Sequence, residues 1–149
     1  MKKIIVLLST CLLFSLMGYT QTIASEKVPA AVKEAFTKKF PAATNVNYKM
    51  EKKDYEFTFK EKEVGMSAIF NSSGEWLETK TIIIESDLPK KVLTSAATNF
   101  VGFTITEATR VESPDKVVNY EMYLKKNKEG YEVKFSPKGV ILKKTKLRK

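Results

Sequence analysis

Catalysis in this chain would have to be built from carboxylates. The 149 residues contain no histidine, and the single cysteine, Cys11, lies in an apolar N-terminal run. Serine–histidine and cysteine–histidine nucleophiles, zinc centres and thiol chemistry therefore have no residues to work with. Two carboxyl groups can divide acid and base roles when burial or a neighbouring charge separates their pKa values. Candidates are Glu61 with Glu63 and Glu75 with Glu78. They fall in turns or on strands beside lysines, where the ordinary role of a carboxylate is solubility. Asp54, Asp87 and Asp115 stand apart, without the oxygen-rich loop that calcium needs. Gly65, Gly74, Gly130 and Gly139 occur singly. They read as turn glycines and not as a phosphate cradle. No catalytic residue, cofactor site or metal site is expected.

The elements that would position a site are written twice. YEFTFKEKEVGMSAIFNSSGEWLETK starts at Tyr55, and YEMYLKKNKEGYEVKFSPKGVILKKT starts sixty-five residues later at Tyr120. At that offset Gly65 matches Gly130, Phe70 matches Phe135, Gly74 matches Gly139 and Trp76 matches Ile141. An internal repeat decides the architecture before any single element does.

Ahead of the first copy, Val28, Val32, Phe36 and Phe40 recur at helical spacing, with Pro29 at the start and Pro41 after the end. A helix over Val28–Phe40 is predicted. Val46–Met50 alternates as a strand, and Glu51–Asp54 turns. Tyr55, Phe57 and Phe59 alternate with Glu56, Thr58 and Lys60, the period-2 pattern of a sheet with one buried face. Glu61–Gly65 turns again. Met66, Ala68 and Phe70 point inward, Asn71–Gly74 is a turn, and Glu75–Ile84 is a longer strand.

Leu88, Val92, Ala96 and Phe100 repeat the helix at an offset of sixty, with Ser86 and Asp87 as candidate caps. The difference between the offsets is a five-residue insertion, expected partly at Val101–Thr104 and partly at Ser113–Val118. Strands follow over Ile105–Glu112, Tyr120–Lys125, Tyr131–Phe135 and from Val140, and Lys143–Lys149 is expected to fray. The fold class is α+β: a tandem repeat of a helix plus a four-stranded antiparallel sheet, both helices on one face. A unit of about 60 residues buries too little surface to stand alone, so the copies must share a core or join sheets edge to edge.

Lys2 and Lys3, the apolar run Ile4–Met17, and Thr22-Ile23-Ala24 have the form of a secretory leader. Its apolar run is shorter than the ~20 residues of a membrane span. The predicted organisation is a signal peptide over 1–24, a first repeat over 25–85 and a second over 86–149. The protein is then exported, periplasmic or extracellular, without a transmembrane span and without a disulfide. The net charge is +9. That favours anionic surfaces or acidic partners in general, but the charge is dispersed as on a solvated face. Nucleic acid is not an expected ligand outside the cell.

With the helices covering one face, the other face of the sheet is the place to look for binding. Strand parity exposes Ser67 and Ile69, Tyr123 and Lys125, and Glu132 and Lys134 there. Ile69, Tyr123, Lys125 and Lys134 are the candidate partner-binding residues. Tyr123 is the notable one, an aromatic on the polar side of its strand, which serves either a partner contact or cross-strand packing. Trp76 is expected in a core or at the seam between the halves.

The helix end Lys39-Phe40-Pro41-Ala42, the Tyr-x-Phe-x-Phe strand and the Gly74-Glu75-Trp76-Leu77 closure, duplicated behind a leader, resemble the PepSY-like family of secreted bacterial proteins, also described as beta-lactamase-inhibitor-like. The resemblance covers nearly all of the chain after the leader. It implies tandem helix-plus-sheet units and, for the inhibitor-like members, a concave sheet presented to a partner protein. Val101-Gly102 replaces Pro41-Ala42 in the second half. No inhibitory contact residue of the family matches a position here. The function expected is a non-enzymatic module binding an unidentified protein or peptide. The alternative is a basic surface for anionic glycans or lipid headgroups.

Overall fold

The computed structural model describes residues 21, 22 and 24–147. Most of the segment read as a leader lies outside the described residues. Among the described residues, nine antiparallel strands form one sheet in strict chain order. They are β1 (Gln21–Thr22), β2 (Thr44–Glu51), β3 (Asp54–Glu61), β4 (Val64–Phe70), β5 (Trp76–Ile83), β6 (Thr104–Glu112), β7 (Val118–Lys126), β8 (Glu129–Phe135) and β9 (Ile141–Lys146). Helix α1 (Ala30–Lys39) precedes β2, and α2 (Lys90–Asn99) lies between β5 and β6.

The repeat is structural. Phe57, Phe59, Ala68 and Phe70 pack under Val28, Val32, Phe36 and Phe40 of the first helical segment. Met122, Leu124, Val133 and Phe135 pack under Leu88, Val92, Ala96 and Phe100. Both helices therefore cover one face of the sheet. Each fully buried aliphatic or aromatic side chain contributes about 1.5–3 kcal/mol. The cores form two clusters, one per half, and the sheets join edge to edge through β5 and β6, with Thr79 opposite Glu112 and Ile83 opposite Ala108. Trp76 belongs to the first cluster and not to the seam. Its indole N–H donates to Thr79 Oγ at 2.8 Å, and Lys39 Nζ lies 3.6 Å from its ring centroid.

Several local expectations are corrected. The cap of α2 is Pro89, not Ser86 or Asp87, which belong to a short 3-10 turn over Glu85–Asp87. The Pro89 carbonyl accepts from Val92 N at 2.9 Å, as Pro29 accepts from Val32 N at 3.1 Å. A proline there loses nothing, because its missing N–H would have no partner in the first turn.

None of the insertion sits at Val101–Thr104. Thr44 and Thr104 open β2 and β6 at the helix offset, and the same bulge follows in both, between Thr44 and Asn47 and between Ile105 and Glu107. The extra residues all lie between Val111 and Asn119: one lengthens β6, one lengthens β7, and the connection grows from two residues to five, with Ser113 N donating to the Val117 carbonyl. The basic end does not fray from Lys143: Lys143, Lys144, Thr145 and Lys146 pair with Lys134, Val133, Glu132 and Tyr131. Lys144 is held over the Tyr131 ring, 4.4 Å from its centroid. Lysines along this outermost strand also discourage further strands from adding to it.

The glycines divide into two kinds. Gly74 and Gly139 have φ of 85° and 80°, and a Cβ on either would strike a helix carbonyl, Ala31 O at 2.9 Å for Gly74 and Lys91 O closer still for Gly139. Gly65 and Gly130 lie within β4 and β8. They make room for Ile82 and Leu147, whose side chains cross them, a Cβ on Gly65 coming 2.8 Å from Ile82 Cδ1. Reading those two as turn glycines was therefore wrong. Lys62 and Glu63 supply the positive φ of the β3–β4 turn.

Candidate functional site

The face of the sheet away from the helices is hollow. Alternation along β3 sends Phe57 and Phe59 to the core and leaves Glu56, Thr58 and Lys60 on the other side. Register carries that parity across the sheet, from Thr58 to Ser67, Lys80 and Val111. On β6 and β7 it gives Glu107 opposite Tyr123 and Thr109 opposite Glu121. Apart from Val111, these open-face side chains border a trough of about 490 Å³ running from Asn45 and Asn47 on β2 to Glu121 and Tyr123 on β7, with Ile82 in its lining. Its size is that of an ordinary ligand or side-chain pocket.

An ion network stiffens one side of it. Lys80 donates to Glu121 Oε2 at 2.5 Å and lies 3.8 Å from Glu78. Lys134 donates to Glu78 Oε2 at 3.1 Å and lies 3.9 Å from Glu121. Lys134 is on β8 and Glu78 on β5, three strands apart, roughly 14 Å in a flat sheet. The two side chains meet by arching over β6 and β7. Val111 and Thr109, on this face of β6, are correspondingly buried, as is Glu121.

Burial alone would lower the pKa of Lys80. The hydrogen bond to Glu121 and the charges of Glu121 and Glu78 overcome it and hold the ammonium above its ordinary value. Burial pushes the Tyr123 phenol up to about 12, with the carboxylate of Glu132 acting the same way and Lys80 opposing. At neutral pH the face therefore presents a charged lysine and a neutral tyrosine.

The four residues expected at the site are not equivalent. Tyr123 borders the trough. Lys134 is on the same face but committed to Glu78 and Glu121. Ile69 lies on β4 between its cross-strand partners Glu56 and Glu78, outside the trough. Lys125 is exposed near the end of β7, opposite Gly130. The residues missed are Lys80, Glu121, Thr109, Glu107 and Ile82. Alternation would have placed Glu121 beside Tyr123 on the open face. The meeting of Lys80 with Glu121 depends on which strands are neighbours across the seam, and a local pattern does not encode that. Glu78, weighed as half of an acid–base pair with Glu75, is instead an ion-pair partner of Lys134. Among the described residues, no group of three or more acidic or cysteine side chains is arranged to hold a metal ion. No helix among them is long and apolar enough to cross a membrane.

Solved structures share this architecture. A protein of Bacteroides eggerthii described as "putative periplasmic" is 22% identical, with a TM-score of 0.74, over 80% of this chain and 88% of its own. A protein of Bacteroides uniformis is 20% identical, with a TM-score of 0.73, over 79% of this chain and 88% of its own. A BLIP-like protein of Bacteroides fragilis is 18% identical, with a TM-score of 0.68, over 89% of this chain and 91% of its own. At these identities the likeness is one of fold. No curated protein matches the sequence. The family model described as "Putative beta-lactamase-inhibitor-like, PepSY-like" matches residues 18–67, from β1 into β4, and again 61–143, from the end of β3 into β9. The two matches together cover most of the chain, and the chain belongs to the PepSY-like, beta-lactamase-inhibitor-like family.

Proposed function

We propose that this protein is an exported, non-enzymatic binding module that receives a protein or peptide partner on the open face of its doubled sheet. The observation that carries the reading is the trough itself. It is a concave, mixed polar and apolar surface on the uncovered side of a sheet, stiffened by the Lys80–Glu121–Lys134–Glu78 network. Fixed side chains lower the entropy lost on association, and a tyrosine with a nearby exposed isoleucine is the kind of contact that dominates interfaces. The BLIP-like fold of the Bacteroides fragilis neighbour fits an inhibitor-like role toward a protein. The leader over 1–24, with repeats over 25–85 and 86–149, and the periplasmic description of one structural neighbour support export.

The second reading, a basic surface for anionic glycans or lipid headgroups, draws on the net charge and the lysines of β9. Lys144 is turned to aromatic rings and Lys146 pairs with Glu129, so that strand offers fewer free cations than its composition implies.

The test is quantitative capture from cell-envelope extract by wild type, by Tyr123→Ala/Ile82→Ala, and by Glu34→Ala on the exposed side of α1. A partner lost only with the double variant supports the open face. Identical capture by all three removes it. Capture by wild type that disappears in high salt and returns on anionic vesicles favours the second reading.

A further inference from the structure

The chemistry of the trough selects what kind of group a partner would insert. This inference rests on the open-face reading above. Most charges around the hollow cancel. Lys80 and Lys134 are matched by Glu78 and Glu121, and Lys60, which also borders the hollow, pairs with Glu63 at 3.2 Å. Two carboxylates bordering the trough, Glu107 on β6 and Glu56 on β3, have no ion-pair partner among the described residues. In a chain of net charge +9, this hollow is locally negative.

A second observation is independent of charge. Thr109 is only 6% exposed and its Oγ has no hydrogen-bond partner. Such groups are rare in folded proteins, and each asks for an explanation. Thr109 lies two residues from Glu107 on the same face of β6, and it borders the trough. Tyr123 stands directly across from Glu107 in the register and adds a ring face that attracts cations. The raised Tyr123 pKa agrees: after burial, Glu132, Glu121 and Glu107 all push it up, with Lys80 alone opposing.

The geometry points to a site for the ammonium or guanidinium of a basic side chain carried by the partner, received by Glu107, Thr109 Oγ and Tyr123. Glu107 supplies the opposite charge. Thr109 Oγ, which lies beneath the Lys80–Glu121 pair, accepts a hydrogen bond from the incoming N–H as the guest cation displaces Lys80, and the tyrosine ring covers the cation. Glu56 on the far wall adds to the field. A carboxylate guest would meet the unpaired glutamates and is disfavoured by like charge.

The probes are N-acetyl-lysine amide, N-acetyl-arginine amide and N-acetyl-glutamate amide, titrated at millimolar concentration into the 15N-labelled protein. Saturable shifts at the amides of Glu107, Thr109 and Tyr123 are expected with the two basic probes and not with the acidic one. Glu107→Gln should weaken the basic probes by about tenfold, the loss that follows removal of one charge-assisted contact. Thr109→Val should also weaken them while leaving thermal stability equal or higher, since it removes an unpaired buried hydroxyl. A structural role for Thr109 alone would not change binding. Preference for the glutamate probe, no saturable shift at these residues, or unchanged binding by Glu107→Gln overturns the inference. The spectrum of each variant reports its folding directly. If the basic probes fail while Tyr123→Ala/Ile82→Ala still loses its captured partner, the open face stands and only the cation site falls. If they bind while capture is unaffected by that variant, the open-face reading falls, and the assignment of the cation to a protein partner falls with it.

Discussion

The two halves of the sheet share a backbone and differ in what fills it. In the first, Phe36 stacks on Phe57 at 4.2 Å and meets Phe59 edge-on at 5.1 Å, with Phe70 6.2 Å away. At the matching positions the second half has Ala96, Met122, Leu124 and Phe135. Three rings, those of Phe36, Phe57 and Phe59, are absent there, and two appear elsewhere. Phe103 and Tyr131, which replace Ala43 and Met66, meet at 5.6 Å beside Phe100, with Lys144 over the Tyr131 ring. The aromatic centre has moved from the middle of the helix to its C-terminal end. What the duplication preserves is the set of positions that face inward, together with the bulges and close approaches that fix the register. The identities of the core side chains are free to drift so long as volume is conserved.

That contrast can be broken most sharply at Phe36. Phe36→Ala should cost about 3–5 kcal/mol in denaturant unfolding, as large aromatic truncations do. The reverse change, Ala96→Phe, should cost about 1–3 kcal/mol by overpacking, because Ala96 is buried against the second core. A neutral or stabilising Ala96→Phe would show that the second core has an unfilled aromatic slot.

The closures against the helices come next. Gly139→Ala should lose roughly 2–4 kcal/mol from positive φ together with contact against Lys91 O, and Gly74→Ala should lose less, because its approach to Ala31 O is looser. Equal losses would mean that backbone conformation alone decides both. Lys80→Met should cost about 1–2 kcal/mol, below the usual penalty for breaking a buried pair, because Lys134 remains near Glu121. Its measured change should couple with Glu121→Gln in a double-mutant cycle.

The smallest effect is in pH. Lys80 and Tyr123 both hold their protons more tightly in the folded state than their ordinary values of 10.5 and 10.0 allow. The stabilisation they give is complete below those values and is lost as pH rises through the higher folded values. Wild type should therefore lose stability above about pH 10, and Tyr123→Phe should lose less over the same range. Parallel curves would remove Tyr123 from the alkaline transition.

Much of this architecture was legible in the residues. Alternation in Tyr55–Lys60 and the recurrence of Phe70 and Gly74 at Phe135 and Gly139 are local patterns, and they carried the helices, the strand faces and the duplication. The places where local reading failed were those decided by distant neighbours. Ser86 and Asp87 look like caps, but Pro89 takes that role. Gly65 looks like a turn glycine until Ile82 is seen to cross it. Lys143–Lys146 look like a tail until Val133 and Tyr131 supply the opposite strand. The trough depends on the same kind of information. Tyr123 could be placed on the open face by parity, whereas its neighbours Lys80 and Thr109 come from strands whose adjacency only the joined sheet reveals.

Photo-crosslinking tests the open face most directly. A photoreactive amino acid would be placed at position 123 in one variant and at position 34, on the exposed side of α1, in another, each expressed in the cells that make the protein. A discrete partner band from position 123 and none from position 34 is the expected result. A band from position 34 with none from 123 would contradict it, and the binding surface would then belong to the helices.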